Sequence, residues 1–353
     1  MPELLSITRI PESRLSEAVR ENSEFGTVFS DHMLVADYED GKWGEPQIIP
    51  YGPMPLPPSI SALHYGQSLF EGFKAHRTVD EMVALFRPRD NHARLNRSAA
   101  RLAMPEVPAS LFLDGVAELI RLDREWVPHR EGGALYVRPL YFAMDEALFV
   151  KPARHYRLVV ITCPVGPYFG QPIRLLVDER YVRAFPGGTG DIKPAGNYAA
   201  ALLAGRLAQE RGFHNVLWLD AIEHRFVEEC GVMNILFVIG RVAITPPLTG
   251  TILPGVTRDS VLILLNDLGI EVKERLITID EVFQAHTAGE LKEAFGVGTA
   301  ATVAPIECIR YRDREIHLPV VGQPKSIGNK VRTLLQAIQT GREVDKHRWL
   351  VPL

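Results

Sequence analysis

The sequence predicts a mixed α+β fold built as two domains. Three observations carry this prediction. Strand-like apolar runs are interspersed with amphipathic helical segments, with no internal repeat. The 353 residues are enough for two domains of ordinary size with a substantial core. A Pro-, Gly- and aromatic-rich stretch at 164–172 lies between two strand-like runs. It divides the chain into a smaller N-terminal α/β domain at 1–163 and a larger C-terminal domain at 173–353, the latter carrying Lys193. Ligands favour the cleft between two such domains.

Each element follows from local pattern. Residues 11–24 read as a helix, and 28–38 and 61–75 carry strand-like segments on either side of a Pro-rich loop at 50–58. Asp90 is placed to cap a helix reaching 102, with Leu95, Ala99 and Leu102 on one face. Arg94, Arg97 and Arg101 form a stripe on that helix, by default a solvated face. A second amphipathic helix spans 111–127, and strands follow at 134–140 and 156–163. Past the linker come a strand at 173–177 and a glycine-rich loop leading into a helix at 197–211, closed by Gly212. Strands are expected at 216–219, 234–239 and 242–244, the last two joined at Gly240-Arg241. A helix is expected at 289–295, before a strand-like run, and a final one at 326–339.

Composition narrows the function. Hydrophobic residues make up 46% and charged residues 23%, a soluble globular balance. A net charge of -4 gives no reason to expect nucleic acid or an anionic membrane surface as a partner. The longest apolar runs are too short to span a bilayer, and the N-terminus lacks a basic region followed by an apolar one. Cys163, Cys230 and Cys308 are odd in number and widely spaced, so they suggest neither a disulfide framework nor a CxxC pair, and no metal site is expected. A cytoplasmic protein is expected.

One lysine stands out. Lys193 sits in Gly187-Gly188-Thr189-Gly190-Asp191-Ile192-Lys193-Pro194-Ala195-Gly196, a glycine-rich loop that opens onto a helix. A crowded lysine has its pKa lowered because desolvation disfavours the charged amine, and the neutral amine can form a Schiff base with a carbonyl. Ile192 before Lys193 and Pro194 after it rule out a phosphate-binding P-loop, and the lysine itself breaks a dinucleotide fingerprint.

Two further elements suit an anion. Residues 253–260 form a turn that starts a helix, whose first amides have no intrahelical partner. In Phe295-Gly296-Val297-Gly298-Thr299-Ala300 the glycines allow a backbone nest, and Thr299 offers a hydroxyl. A Schiff-base lysine with two anion sites suggests a phosphorylated aldehyde, for which pyridoxal 5'-phosphate (PLP) is the common cofactor. Its pyridine nitrogen needs an acid. Glu228 and Glu229 are consecutive on a strand-like segment, so alternation sends one toward the site and the other away. Tyr136 and Arg138 share a strand face and suit a carboxylate substrate.

These residues resemble the branched-chain amino acid aminotransferases, PLP enzymes of fold type IV within the class IV aminotransferase family. The match covers 25–343 in order. It includes Leu69-Phe70-Glu71-Gly72, Tyr136-Val137-Arg138-Pro139, Gly196-Asn197-Tyr198, Leu253-Pro254-Gly255-Val256-Thr257-Arg258 and Phe295-Gly296-Val297-Gly298-Thr299-Ala300. The resemblance implies two domains with the cofactor in the cleft between them. It implies that Lys193 carries PLP and that Tyr198 hydrogen-bonds the ring's phenolic oxygen. Glu229, rather than Glu228, is the implied partner of the pyridine nitrogen. The implied phosphate ligands are Arg94, the backbone of Val256 and Thr257, and the Thr299 hydroxyl. The implied substrate pocket includes Phe25, Tyr65, Tyr136, Arg138 and the Thr299-Ala300 backbone, with Arg138 organising the pocket and accommodating the acidic co-substrate.

The implied reaction moves the amino group of leucine, isoleucine or valine to 2-oxoglutarate by a ping-pong mechanism, with Lys193 transferring the proton. The partners are therefore small amino acids and 2-oxo acids, and the family resemblance implies a homodimer. Where mammalian members of the family carry a redox-active CxxC, this chain has Ala301 and Ala304, and Val232 replaces a hydroxyl residue near Glu229. A D-amino acid aminotransferase, an aminodeoxychorismate lyase, a non-catalytic PLP-binding protein and a phosphate-binding module are the alternative readings.

Overall fold

A computed structural model describes residues 5–22, 24–166, 171–319 and 326–353. The described residues fall into two compact units. One comprises the described residues within 1–168, 193–196 and 338–353, and the other those within 169–192 and 197–337. Of the expected linker, 167–170 lie outside the described residues.

The first unit is organised by a ten-stranded sheet. Its centre is the antiparallel pair Ala134–Ala143 and Tyr156–Val165, flanked by His32–Glu39 on one side and Phe73–Arg77 on the other. Leu34, Leu135, Val137, Leu158 and Val160 alternate inward along these strands. They pack against Leu95 and Ala99 of the helix Pro88–Arg101 and Leu119 of Gly115–Leu122. This alternation of buried apolar positions is what makes the strands readable from sequence.

The second unit holds a nine-stranded sheet. Val227–Cys230 pairs with both Asn215–Leu219 and Met233–Ile239, which closes six strands into a barrel. Its interior is filled by Leu175, Leu217, Ile235, Phe237, Ala294 and Ile306, among others. Leu176, Val216 and Trp218 point outward and pack with Ala204 and Ala208 of the helix Ala195–Glu210.

The structure differs from the sequence expectations at several places. Lys193–Gly196 groups with the first unit rather than with the C-terminal domain. The Lys193 amide donates to Ser98 Oγ at 3.1 Å, its carbonyl accepts from the Phe70 amide at 3.1 Å, and Pro194 bridges Leu69. The C-terminus also returns to that unit, because Leu350–Pro352 pairs with Val83–Phe86. The first expected helix shrinks to Glu17–Asn22, and Ser61–Tyr65 is a short helix rather than a strand. Pro88, not Asp90, opens the third helix; proline suits the first helical position because its missing amide hydrogen would have no partner there. The segment expected as a helix at 289–295 is the strand Leu291–Gly298, paired on both sides, and the helix lies earlier at Ile279–Thr287. Sheet pairing on both edges overrides local propensity there.

Candidate active site

In the first unit, Lys193 gathers basic and aromatic groups around its amine. The residue keeps partial surface exposure, but its amine lies deep among protein atoms, 4.5 Å from the centre of the Phe70 ring. Burial pushes its pKa down to about 8; the Arg94 guanidinium adds to that shift and the Glu71 carboxylate opposes it. Arg94 is buried, which overturns the solvated-stripe expectation for this position. It faces inward because Glu71, also buried, takes its Nε at 2.7 Å and Nη2 at 2.8 Å in a two-point pair.

The same unit brings Phe25, Tyr136 and Arg138 together. Arg138 Nη2 donates to the Tyr136 hydroxyl at 2.9 Å, and its guanidinium lies 4.6 Å from the Phe70 ring centre. Phe25 meets Tyr136 edge-on at 5.0 Å. Gly72 makes this arrangement possible: a Cβ there would stand 1.9 Å from the Tyr136 hydroxyl. Tyr65 is exposed at the end of its short helix, with its ring tilted against His64.

In the second unit, Glu229 is the best-held carboxylate. Its Oε1 accepts from the Leu253 amide at 2.7 Å, pairs with Arg183 Nη2 at 3.0 Å and lies 3.5 Å from Asn234 Nδ2. The register of Val227–Cys230 against Asn215–Leu219 shifts by one residue. Val227 and Cys230 both enter the barrel core, so Glu228 and Glu229 share the bulge between them. The expectation that they face opposite ways therefore fails. Both turn toward 251–253, where Thr251 Oγ1 donates to Glu228 and the Leu253 amide to Glu229. Tyr198, Arg183, Glu229 and Val232 line one small pocket.

The loop before Lys193 is pinned within this second unit. Asn197 Nδ2 donates to the Thr189 carbonyl at 2.7 Å, and Arg183 Nη2 donates to the carbonyls of Gly190 at 2.8 Å and Thr251 at 2.7 Å. A Cβ on Gly190 would lie 2.3 Å from the Thr251 carbonyl oxygen, which explains the glycine.

The two anion elements fare differently. Val256 and Thr257 do begin the helix Val256–Asp267, and its N-cap is Gly255, which contributes no capping side chain. Asn234 holds the preceding turn by donating to the Leu253 carbonyl at 2.9 Å. Gly296 and Gly298, in contrast, form no nest: they are strand residues paired with Ala304 and Thr302. A Cβ on Gly296 would crowd Met233 at 2.8 Å and Cys230 at 2.9 Å, so close packing accounts for it. Thr299 and Ala300 lie in the turn that follows, partly exposed.

Sequence reasoning missed Glu71, Arg183 and Asn234 as site residues. Glu71 carried a signal in Leu69-Phe70-Glu71-Gly72, since an acid among apolar strand residues needs a partner. Arg183 carried none.

The first unit thus holds a buried lysine of lowered pKa, and the second a closed barrel with a carboxylate held by a guanidinium and an amide. Residues 68–309 match the family model of the class IV amino-transferases, and the chain belongs to that class. Within it, the chain is a member of the branched-chain-amino-acid aminotransferase family. It is 46% identical over 332 residues to a probable branched-chain-amino-acid aminotransferase of Staphylococcus aureus (strain N315), covering 93% of this chain and 92% of the relative. It is also 46% identical to branched-chain-amino-acid transaminase 1 of Bacillus subtilis (strain 168), covering 93% of each. The crystal structure of the Escherichia coli branched-chain amino acid aminotransferase superposes with a TM-score of 0.76 at 26% identity, over 91% of this chain and 98% of that one. The PLP form of the branched-chain amino acid aminotransferase from Thermobaculum terrenum gives 0.75 at 25% identity, over 91% and 98%. PLP is the cofactor of this class.

Proposed function

We propose that the chain transfers the amino group of L-leucine, L-isoleucine and L-valine to 2-oxoglutarate, giving branched-chain 2-oxo acids and L-glutamate in a ping-pong sequence. The observation that carries this reading is the buried Lys193 amine with its pKa pushed down to about 8 beside Arg94. A neutral amine is what carbonyl condensation requires. The residues present fit a phosphorylated pyridine aldehyde. Lys193 would supply the amine for its aldehyde, the deep Arg94 cation suits its phosphate, and Glu229 is a carboxylate already held by Arg183 and the Leu253 amide. The N-terminal amides of the helix Val256–Asp267 suit the phosphate as well.

Bound PLP supplies the electron sink for the carbanion at the substrate's α-carbon. The chain does the rest. Lys193 Nζ takes the α-proton and returns it. Tyr198 would donate its hydroxyl hydrogen to the cofactor's phenolic oxygen, and Glu229 would keep its pyridine nitrogen protonated. Arg94, the amides of Val256 and Thr257, and the Thr299 hydroxyl would hold the phosphate. Phe25, Tyr65 and Tyr136 supply aromatic walls for a branched side chain, and the Thr299-Ala300 amides take the substrate carboxylate. Arg138, held against Tyr136, admits an acidic side chain into the same pocket. Such walls separate near-homologues by only about 1–3 kcal/mol, so related aliphatic substrates share the site.

The homodimer and a cytoplasmic location belong to the same proposal, and the family resemblance supports them. No described helix is long and apolar enough to cross a membrane. The visible spectrum tests the function: purified protein with PLP is yellow, L-leucine bleaches it, and 2-oxoglutarate restores it. Lys193→Ala removes turnover. A colourless protein that stays inert when PLP is supplied overturns the reading.

A further inference from the structure

The outer face of the second unit's barrel carries a cluster of side chains that transamination does not use. The strand Thr302–Tyr311 pairs with Arg314–His317, where Cys308 stands directly opposite His317 and Arg310 opposite Glu315. Side chains alternate across a strand, so Cys308, Glu315 and His317 share one side of this hairpin. The intervening pair, Ile309 and Ile316, goes the other way into the barrel core. Cys308 Sγ, a Glu315 carboxylate oxygen and a His317 ring nitrogen all lie within 4.8 Å of one another. Glu315 Oε1 and His317 Nε2 are 3.0 Å apart. The Cys308 thiol faces the other two groups, since it is hydrogen-bonded by the side chains of Arg174 and Glu315. Cys308 itself is buried while the His317 side chain is 71% exposed, so the cluster runs from the barrel wall out to solvent.

We propose that Cys308, Glu315 and His317 bind one zinc ion, with water at the fourth position. Thiolate, carboxylate and imidazole are the three ligand types that zinc takes from proteins, and three such ligands plus water complete a tetrahedron. The sulfur disfavours magnesium and calcium, which take oxygens. Zinc–ligand bonds of about 2.0–2.3 Å put the ligand atoms ~3–4 Å apart, so side-chain shifts of about 1 Å close the set. Two cations flank it. Arg174 Nη2 is 3.8 Å from Glu315 Oε1, and Arg310 Nη1 is 3.7 Å from Oε2. Both distances exceed a hydrogen bond, so neither guanidinium takes up the carboxylate. Arg174 is the register neighbour of Cys308 on the next strand, and its side chain is 37% exposed. It turns outward to solvent when the ion takes the place of the thiol proton. The two guanidinium charges keep the affinity below that of a site built for zinc alone.

Titration of the PLP-loaded, tag-free protein with cobalt(II) chloride tests this, because the difference spectrum of cobalt reports its ligands. One ion per chain is expected, with a Kd on the order of micromolar, the visible bands of four-coordinate cobalt and a sulfur-to-cobalt band in the near ultraviolet. Zinc should displace it, as the order of divalent affinities requires. Cys308→Ser should remove the sulfur band and weaken binding by about tenfold or more. His317→Gln changes an exposed side chain and should weaken binding as much. No saturable cobalt binding, a spectrum without the sulfur band, or unchanged affinity in either variant overturns the proposal. If Cys308→Ser does not fold, the sulfur band of the unaltered protein and the affinity of His317→Gln decide. No outcome depends on transaminase activity.

Discussion

Glu71 and Arg94 form a two-point ion pair inside the first unit, with Nε to Oε1 at 2.7 Å and Nη2 to Oε2 at 2.8 Å. It turns the arginine away from the solvated face expected of Arg97 and Arg101, and brings its charge to bear on Lys193. Removing one partner of a buried pair leaves an uncompensated charge. Glu71→Ala should therefore cost about 3–5 kcal/mol in denaturant unfolding. The Glu71 charge also supports the protonated amine, so the substitution should move the Lys193 titration further down.

Lys193 itself gives a pH signature. The rate at which cofactor-free protein condenses with PLP should rise with pH and level off above about 8, followed by the growth of visible absorbance. Stability follows the same shift. The folded amine titrates at about 8 and the unfolded one at the ordinary lysine value of 10.5. The cost of charging it is therefore fully present below about 8, shrinks as pH rises toward 10.5 and is absent above. Lys193→Met should raise the thermal midpoint of the cofactor-free protein near neutral pH and lose that advantage in strong alkali.

Gly72→Ala should act on substrate more than on fold. Its Cβ would collide with the Tyr136 hydroxyl, which holds Arg138 Nη2. Displacing Tyr136 should raise KM for leucine and for 2-oxoglutarate. An unchanged KM for both would show that the hydroxyl does not shape the pocket.

Glu229→Gln should keep the cofactor bound yet slow turnover by at least about tenfold, since an amide does not hold a proton on a pyridine nitrogen as a carboxylate does. Arg183→Gln breaks the pair from the other side and should destabilise the second unit by about 3 kcal/mol. Absorbance spectra and unfolding curves separate the two effects.

The cysteines should be silent. All three are buried; burial raises the Cys163 thiol to about 11 and pushes Cys230 and Cys308 up as well. A thiol reagent at neutral pH should label none of them in the folded protein and all three after unfolding, with activity unchanged before unfolding.

Much of the fold and of the site's chemistry is readable in advance. Strands such as Tyr156–Val165 and Met233–Ile239 announce themselves by their apolar runs at 158–161 and 235–239, and the glycines around Lys193 by their spacing. The departures have physical causes. Strand Leu291–Gly298 reads as helical because its character comes from partners distant in sequence. The facing of Glu228 and Glu229 escapes prediction because a bulge adds a residue that strict alternation does not foresee.

The sequence alone determined the chemistry on offer: a crowded lysine, a helix start suited to phosphate, a pair of adjacent acids, and an order of motifs specific enough to imply a family. These follow from residue type and short-range spacing. Only the tertiary structure decided which groups act together. It assigned Lys193 to the first unit through Phe70 and Ser98, buried Arg94 against Glu71, and gave Glu229 to Arg183 and the Leu253 amide. Each of those contacts joins residues at least 23 positions apart. The energy of a buried charge depends on partners at such separations, and no local pattern encodes them.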